Sequence, residues 1–218
     1  MAESKDQQLA RLAKKRQRTK WEGFGNLKDY GYECEFVSPY TKSAGNVDAR
    51  VFVLLQDWSS ADTLSRGPNE MVAHLGYTPK LPTNKRLDRL LNDHFGLERI
   101  STYATNLFPF IKRGGISARI SPTYLRTAAI EFAWPQINIV KPKLVIALGL
   151  ATFDALRQTA IGSNIGRLKD AIANPFDHDG VRVWCQAHTG SRGTVNAGGD
   201  AVVNANWKTM AVWFHQPR

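Results

Sequence analysis

Cysteine is scarce in this chain. Cys34 and Cys185 are its two, too few for a disulfide framework or for a four-cysteine metal or iron–sulfur site. The N-terminal region has no apolar core of the kind a secretory signal requires. The most apolar tract, Leu144–Leu156, is broken by Asp154 and falls short of the roughly 20 residues a spanning helix needs. Repeats and low-complexity segments are missing too. Together these absences point to a cytoplasmic protein with a reduced interior and no membrane partner. Acidic side chains are also in short supply, with 19 Asp and Glu against 29 Lys and Arg, a net charge of +10. A field of that sign attracts polyanions, nucleic acid first among them.

What is present suits one well-buried domain. The chain has 218 residues, 43% of them apolar, which is ordinary for a globular protein. Residues 1–20 read as a basic N-terminal arm. Lys5, Arg11, Lys14, Lys15, Arg16, Arg18 and Lys20 face only Glu3 and Asp6 there, and a thin stripe of Leu9, Leu12 and Ala13 is too weak to form a core by itself. Such an arm either holds phosphates or stays solvated. Residues 21–218 form the domain proper, beginning with irregular structure that packs Trp21, Phe24, Tyr30 and Tyr32.

Val51–Leu55 is five apolar residues in a row, the pattern of a strand buried on both faces of a parallel sheet. Similar strands follow at Ser101–Phe108, Lys143–Gly149 and Val181–His188. Between them lie a loop-rich stretch, Ala61–Pro82, and amphipathic helices. Thr83 is the expected cap of one helix, Ser121-Pro122 starts another, and Pro135 is expected to kink or end it. A last helix turns Trp207, Met210, Ala211 and Phe214 inward. Strand, crossover and strand in alternation predict an α/β fold: a three-layer α/β/α sandwich around a central, mainly parallel four-stranded sheet.

In a parallel sheet the carboxyl ends share one edge, and open α/β sheets hold their ligands in the crevice outside it. That edge should gather Asp57, Asn106, Gly149 and His188. A carboxylate, an amide and an imidazole ringed by cations suit hydrolysis of an anionic substrate. The structural alternatives are a turn cap for Asp57 and a loop-forming role for Asn106. Lys112 and Arg113, beside Gly114-Gly115, form a loop where cations and backbone amides can meet a phosphate. His178, flanked by Asp177 and Asp179, has no second histidine at ligand spacing, so no metal site is expected.

Four segments carry a resemblance in order: LLQDWSS at the first strand end, ATNLFPF on the second strand, KPKLVIALG as the third, and HTGSRG after the fourth. Over roughly Val51 to Phe214 the chain resembles the uracil-DNA glycosylase superfamily. It departs from the usual motifs at Leu55, at Trp58-Ser59 and at Thr189, and lacks the cysteines that bind an iron–sulfur cluster in some branches, which marks a divergent branch.

The resemblance implies a monofunctional, metal-free and cofactor-free glycosylase that hydrolyses the N-glycosidic bond of uracil flipped out of DNA. Asp57 and His188 would be catalytic, the first orienting a water and offsetting the sugar cation, the second bonding the departing base. Asn106 would read the pyrimidine edge beside Gln56. Trp58 or Tyr77 would stack on the base, and Trp58 would crowd the C5 methyl of thymine. Ser191 and Arg192 would join Lys112 and Arg113 on the DNA. A monomer is expected. The alternatives are a non-catalytic DNA-binding relative and a hydrolase of another glycosidic or nucleotide substrate. In one branch the motif histidine captures the sugar covalently and the following loop is long, as the loop after His188 is here.

Overall fold

The computed structural model describes residues 3–217. Seven strands form in chain order: β1 (Phe24–Gly25), β2 (Val51–Asp57), β3 (Tyr103–Phe108), β4 (Ile111–Lys112), β5 (Leu144–Leu148), β6 (Phe176–His178) and β7 (Val181–Gln186). Five build the central sheet in the order β3-β2-β5-β7-β6, while β1 and β4 pair as a separate antiparallel ribbon. The helices are α1 (Lys5–Arg18), α2 (Ala61–Leu64), α3 (Glu70–Leu75), α4 (Pro82–Phe95), α5 (Pro122–Ala128), α6 (Trp134–Val140), α7 (Leu150–Ile161), α8 (Leu168–Ala173), α9 (Ser191–Asn196) and α10 (Asp200–His215). Among the described residues no helix is long and apolar enough to cross a membrane.

The expected α/β layering holds, with helices on both sheet faces, and the four expected strands pair in parallel. The sheet nevertheless has five strands and is mixed. β6 runs antiparallel along β7, joined to it by Asp179-Gly180, both at positive φ (49° and 78°). Two consecutive left-handed residues are what a tight hairpin requires, and Asp-Gly supplies them at low cost. Three residues are too few to show a strand periodicity, which is why β6 escapes the sequence pattern.

Alternation along the strands sorts the core. Phe52, Leu54, Val145, Ala147 and Val183 pack under α1, α5, α6 and α7. Val51, Val53, Leu55, Ile146 and Leu148 pack under α4 and α10, where Trp207, Met210, Ala211 and Phe214 point inward as the stripe predicts. Thr83 does not cap α4: Leu81 holds the cap position and Pro82 the first helical one. Pro135 does not end its helix either. A π turn over Ala129–Ala133 joins α5 to α6 in one unbroken helical run, and Pro135, which has no N–H to give, falls just after that turn, inside the run.

The first twenty residues are not a free arm, although Met1 and Ala2 lie outside the described residues. Ser4 and Gln7 form a capping box that starts α1, and α1 docks with Leu9, Ala13 and Arg16 buried. The Arg16 side chain is fully buried (0% exposed). It donates to Asn26 Oδ1 (2.9 Å) and to the carbonyls of Cys34 (3.0 Å) and Phe36 (2.9 Å), and pairs with Glu33 (2.6 Å). Lys5, Arg11 and Lys15 pair with Asp48, Glu3 and Glu131. Much of the charge read as a phosphate grip is therefore neutralised within the domain.

Replacing Arg16 removes the guanidinium that ties α1 to residues 26–36 and leaves their polar groups short of partners. Arg16→Ala should lower the unfolding free energy by about 2–4 kcal/mol, read as a lower urea midpoint. A loss under about 0.5 kcal/mol would place it with ordinary surface changes and overturn the anchoring role.

Candidate active site

Strand order locates the crevice. From β2 the chain crosses by α4 to β3 on one side, then returns by α5 and α6 to β5 on the other side of β2. Such a reversal opens a crevice at the carboxyl ends of the two strands beside it. Asp57 closes β2 at that point, Gly149 follows β5, and His188 follows β7 by two residues.

Asp57 is held on both oxygens. Its Oδ1 accepts from Gln56 Nε2 (3.0 Å) and its Oδ2 from Lys112 Nζ (2.8 Å). Both ionic side chains are nearly sealed, with 10% of Asp57 and 5% of Lys112 exposed. Lys112 also donates to the carbonyl of Ile116 (2.6 Å). The expectation of Lys112 as a surface phosphate contact is thus corrected. The ribbon pairs Lys112 with Phe24, and a bridge to Ser60 ties it to the segment after β2, so the ammonium points inward. A buried ammonium is tolerable only beside a carboxylate. Gln56, expected against the substrate, is the residue whose amide donates to this carboxylate. Arg113, the next residue, is exposed.

His188 opens to solvent at the mouth while protein packs behind it. The Gly190 N–H donates to its Nδ1 (3.0 Å), which in a neutral ring leaves the proton on Nε2. Burial pushes the imidazole pKa below its ordinary 6.5. The Asp57 charge opposes that push and the Lys112 charge reinforces it. The same influences show that all three groups share one electrostatic neighbourhood. A Cβ on Gly193 would stand 2.0 Å from the His188 carbonyl oxygen, so only glycine lets α9 seat there. Arg86 fixes the next residue by donating to the Thr189 carbonyl (3.0 Å).

Asn106 sits in register with Leu55 of β2 and is 1% exposed. Its Oδ1 accepts from Ser38 Oγ (2.6 Å), while its Nδ2 is buried without a partner. An orphaned buried donor is uncommon and calls for a reason. Ser38 falls in the segment read from sequence as irregular packing. Its signal was Ser-Pro, the same cap-and-proline pair that marks Ser121-Pro122.

The two aromatic candidates separate. Trp58 is half-buried beside Asp57, donating Nε1–H to the Gly76 carbonyl (2.8 Å), with its ring edge-on to Tyr32. Tyr77 turns away from this edge. Its ring lies 4.0 Å from the Arg99 guanidinium, in the wall of a cavity of about 400 Å³ beside α4 that Asp88 and Ile100 also line. Ser191 and Arg192 open α9 and are exposed at the rim. His178 pairs with Asp179 in the β6–β7 hairpin and packs on Trp134. No family model matches the chain, and no curated protein matches it.

Asp57, Lys112 and His188 thus act on one another at the carboxyl edge of the sheet. His188 should therefore titrate below 6.5 in an NMR pH series. Asp57→Asn should lower that value further and Lys112→Met should raise it, because each removes the charge acting in the opposite sense. The depressed pKa also means that this group's contribution to stability is complete above about 6.5 and is lost as the pH falls through the folded value. A His188 titrating above 6.5, or both variants shifting it the same way, would refute the electrostatic coupling.

Proposed function

We propose that the protein is a DNA glycosylase that hydrolyses the N-glycosidic bond of uracil flipped out of DNA and leaves an abasic site. The observation that carries this reading is a carboxylate fixed on both oxygens, Asp57, acting on the His188 imidazole at the carboxyl edge of the sheet, with the unpartnered N–H donor of Asn106 on the neighbouring strand. The breaking C1′–N bond leaves its electron pair on the base, and the sugar becomes an oxocarbenium-like cation. Asp57 offsets that cation and orients the attacking water. The Nε2–H of His188 donates to the base oxygen where negative charge collects. Asn106 holds the opposite edge of the pyrimidine. Extrusion of the base costs a few kcal/mol, which backbone contacts offset. The net charge of +10 draws the polyanion in, and exposed Arg113, Ser191 and Arg192 take its phosphates at the rim. Trp58 remains beside the base as the aromatic that crowds a C5 methyl. A monomeric enzyme suffices for this chemistry.

A second reading, a protein that holds flipped uracil without releasing it, is favoured by one observation. Both oxygens of Asp57 are already engaged, by Gln56 and Lys112, which leaves the carboxylate less free to orient water.

An oligonucleotide with a single uracil, offered single- and double-stranded with EDTA present, distinguishes the readings. Alkali-labile cleavage is expected, and Asp57→Asn and His188→Ala should each slow it by about 10²-fold or more. Binding without cleavage would favour the second reading. A heat-stable protein–DNA adduct lost in His188→Ala would show covalent capture. Wild-type rates in both variants would refute the assigned roles.

A further inference from the structure

The C=O and N–H of a trans peptide lie in one plane and point in opposite directions, so holding the oxygen also sets where the hydrogen points. The plane between Thr189 and Gly190 is bonded at both ends. Its N–H donates to His188 Nδ1 (3.0 Å), and its oxygen accepts from Arg86 Nη1 (3.0 Å). A guanidinium can only donate, so the sense of the second bond is fixed. Thr189 is 1% exposed, which leaves water little access to that carbonyl if Arg86 is removed. Arg86 stands on a firm base. It belongs to α4, whose Leu87, Leu90, Leu91 and Phe95 are buried in the core. Its Nε also faces Asp200 Oδ1 (3.5 Å), in the first residue of α10. One side chain thus spans the start and the end of the segment that carries α9.

Glycine at 190 leaves the plane able to turn over. That motion changes mainly ψ of Thr189 and φ of Gly190, and glycine takes positive φ without the penalty a side chain brings. Gly190 has φ −73°, and a Cβ on it would stand 3.0 Å from His188 Nδ1 and 3.3 Å from Thr83 Oγ1. The close fit that favours glycine here therefore also calls for something to hold the oxygen. From this we infer that Arg86 is a positioning residue for His188. Through the Thr189–Gly190 peptide it keeps a donor on Nδ1, and hence the proton of the neutral ring on Nε2. A cation on the carbonyl also polarises the peptide and strengthens the N–H at its far end. Without Arg86 the plane samples both orientations, and the neutral ring carries its proton on either nitrogen. The inference deepens the proposed reading, in which Nε2–H is offered to the base, but the bond itself is measured without DNA.

The test compares ¹⁵N NMR spectra of the wild type, Arg86→Met, Arg86→Lys and Arg89→Met at about pH 8, where a histidine of ordinary or lowered pKa is neutral. The His188 signals are those missing from His188→Ala. In the wild type the ring shifts should mark Nε2 as protonated and Nδ1 as bare, with a coupling across the hydrogen bond to the Gly190 nitrogen. Arg86→Met keeps the aliphatic stem but should lose the coupling and bring the two ring shifts together. Arg86→Lys keeps one donor for the carbonyl and should restore most of the wild-type pattern. Arg89→Met removes the neighbouring cation, which pairs with Asp200 (3.9 Å), and should leave the ring unchanged. A purely structural role would lower the melting temperature and leave the ring pattern intact, which overturns the inference. A wild-type ring protonated on Nδ1, or equal effects of Arg86→Met and Arg89→Met, would overturn it too. Should Arg86→Met fail to fold, Arg86→Gln, whose amide ends two bonds short of the guanidinium nitrogens, gives the same comparison. Excision from a uracil-containing oligonucleotide, measured on the same samples, separates the two ideas. With both correct, Arg86→Met lowers kcat by roughly ten- to a hundred-fold and leaves KM nearly unchanged. No release by the wild type, with the spectra as expected, refutes the glycosylase and leaves the positioning role standing. A raised KM with kcat and ring pattern unchanged would make Arg86 a DNA contact and refute the positioning role alone.

Discussion

Where β2 ends, a carboxylate and an ammonium face each other 2.8 Å apart, and hardly any of either side chain reaches water. Neither charge could remain there alone, because an unpaired buried ion costs several kcal/mol. Asp57 arrives on a central strand, but Lys112 has to be delivered, and a chain of contacts delivers it. The β1–β4 ribbon pairs Phe24 with Lys112, Asn26 lies just beyond β1, and Asn26 is gripped by the buried guanidinium of Arg16 on α1. Trp21 and Phe24 pack the same ribbon onto Phe108 and Phe110. The N-terminal helix thus belongs to the support of the site, through two short strands and one arginine.

The same design governs the other two groups. Each sits at or near a strand end, and each has a hydrogen-bonding neighbour outside the strands. His188 takes its tautomer from the Gly190 N–H and its seat from the absence of a side chain at Gly193. Asn106 accepts from the Ser38 hydroxyl. The sheet brings the groups together, and segments outside it supply their bonding partners. That division suits a crevice whose walls are rigid and whose polar atoms must be placed within a fraction of an ångström.

Charge is distributed less simply than composition suggests. A net +10 still gives the molecule a long-range attraction for polyanions. Yet Arg16 and Lys112, cations that a linear reading assigns to phosphate, are buried against carboxylates and carbonyls of the protein, and Lys5 and Lys15 pair with carboxylates at its surface. Helix propensity alone did not rule out a loose N-terminal arm. The stripe of Leu9, Leu12 and Ala13 is thin, and its partner surface on α6 lies more than a hundred residues away.

The local pattern of the chain determined the four parallel strands, the helices between them and the edge on which Asp57, Asn106 and His188 fall. Continuous apolar runs leave a strand no solution but burial on both faces, and parallel strands must align their ends. The inward-facing residues of α10 were equally legible, since a 3.6-residue period is written in consecutive positions. Partner identity was not. That Lys112 meets Asp57 rather than a phosphate, that Ser38 meets Asn106, and that Tyr77 turns to Arg99 rather than to the crevice all depend on contacts across dozens of residues. Such contacts are chosen by packing and by the cost of leaving a buried charge or hydrogen-bonding group unpaired, and those costs exist only once the chain has closed around them.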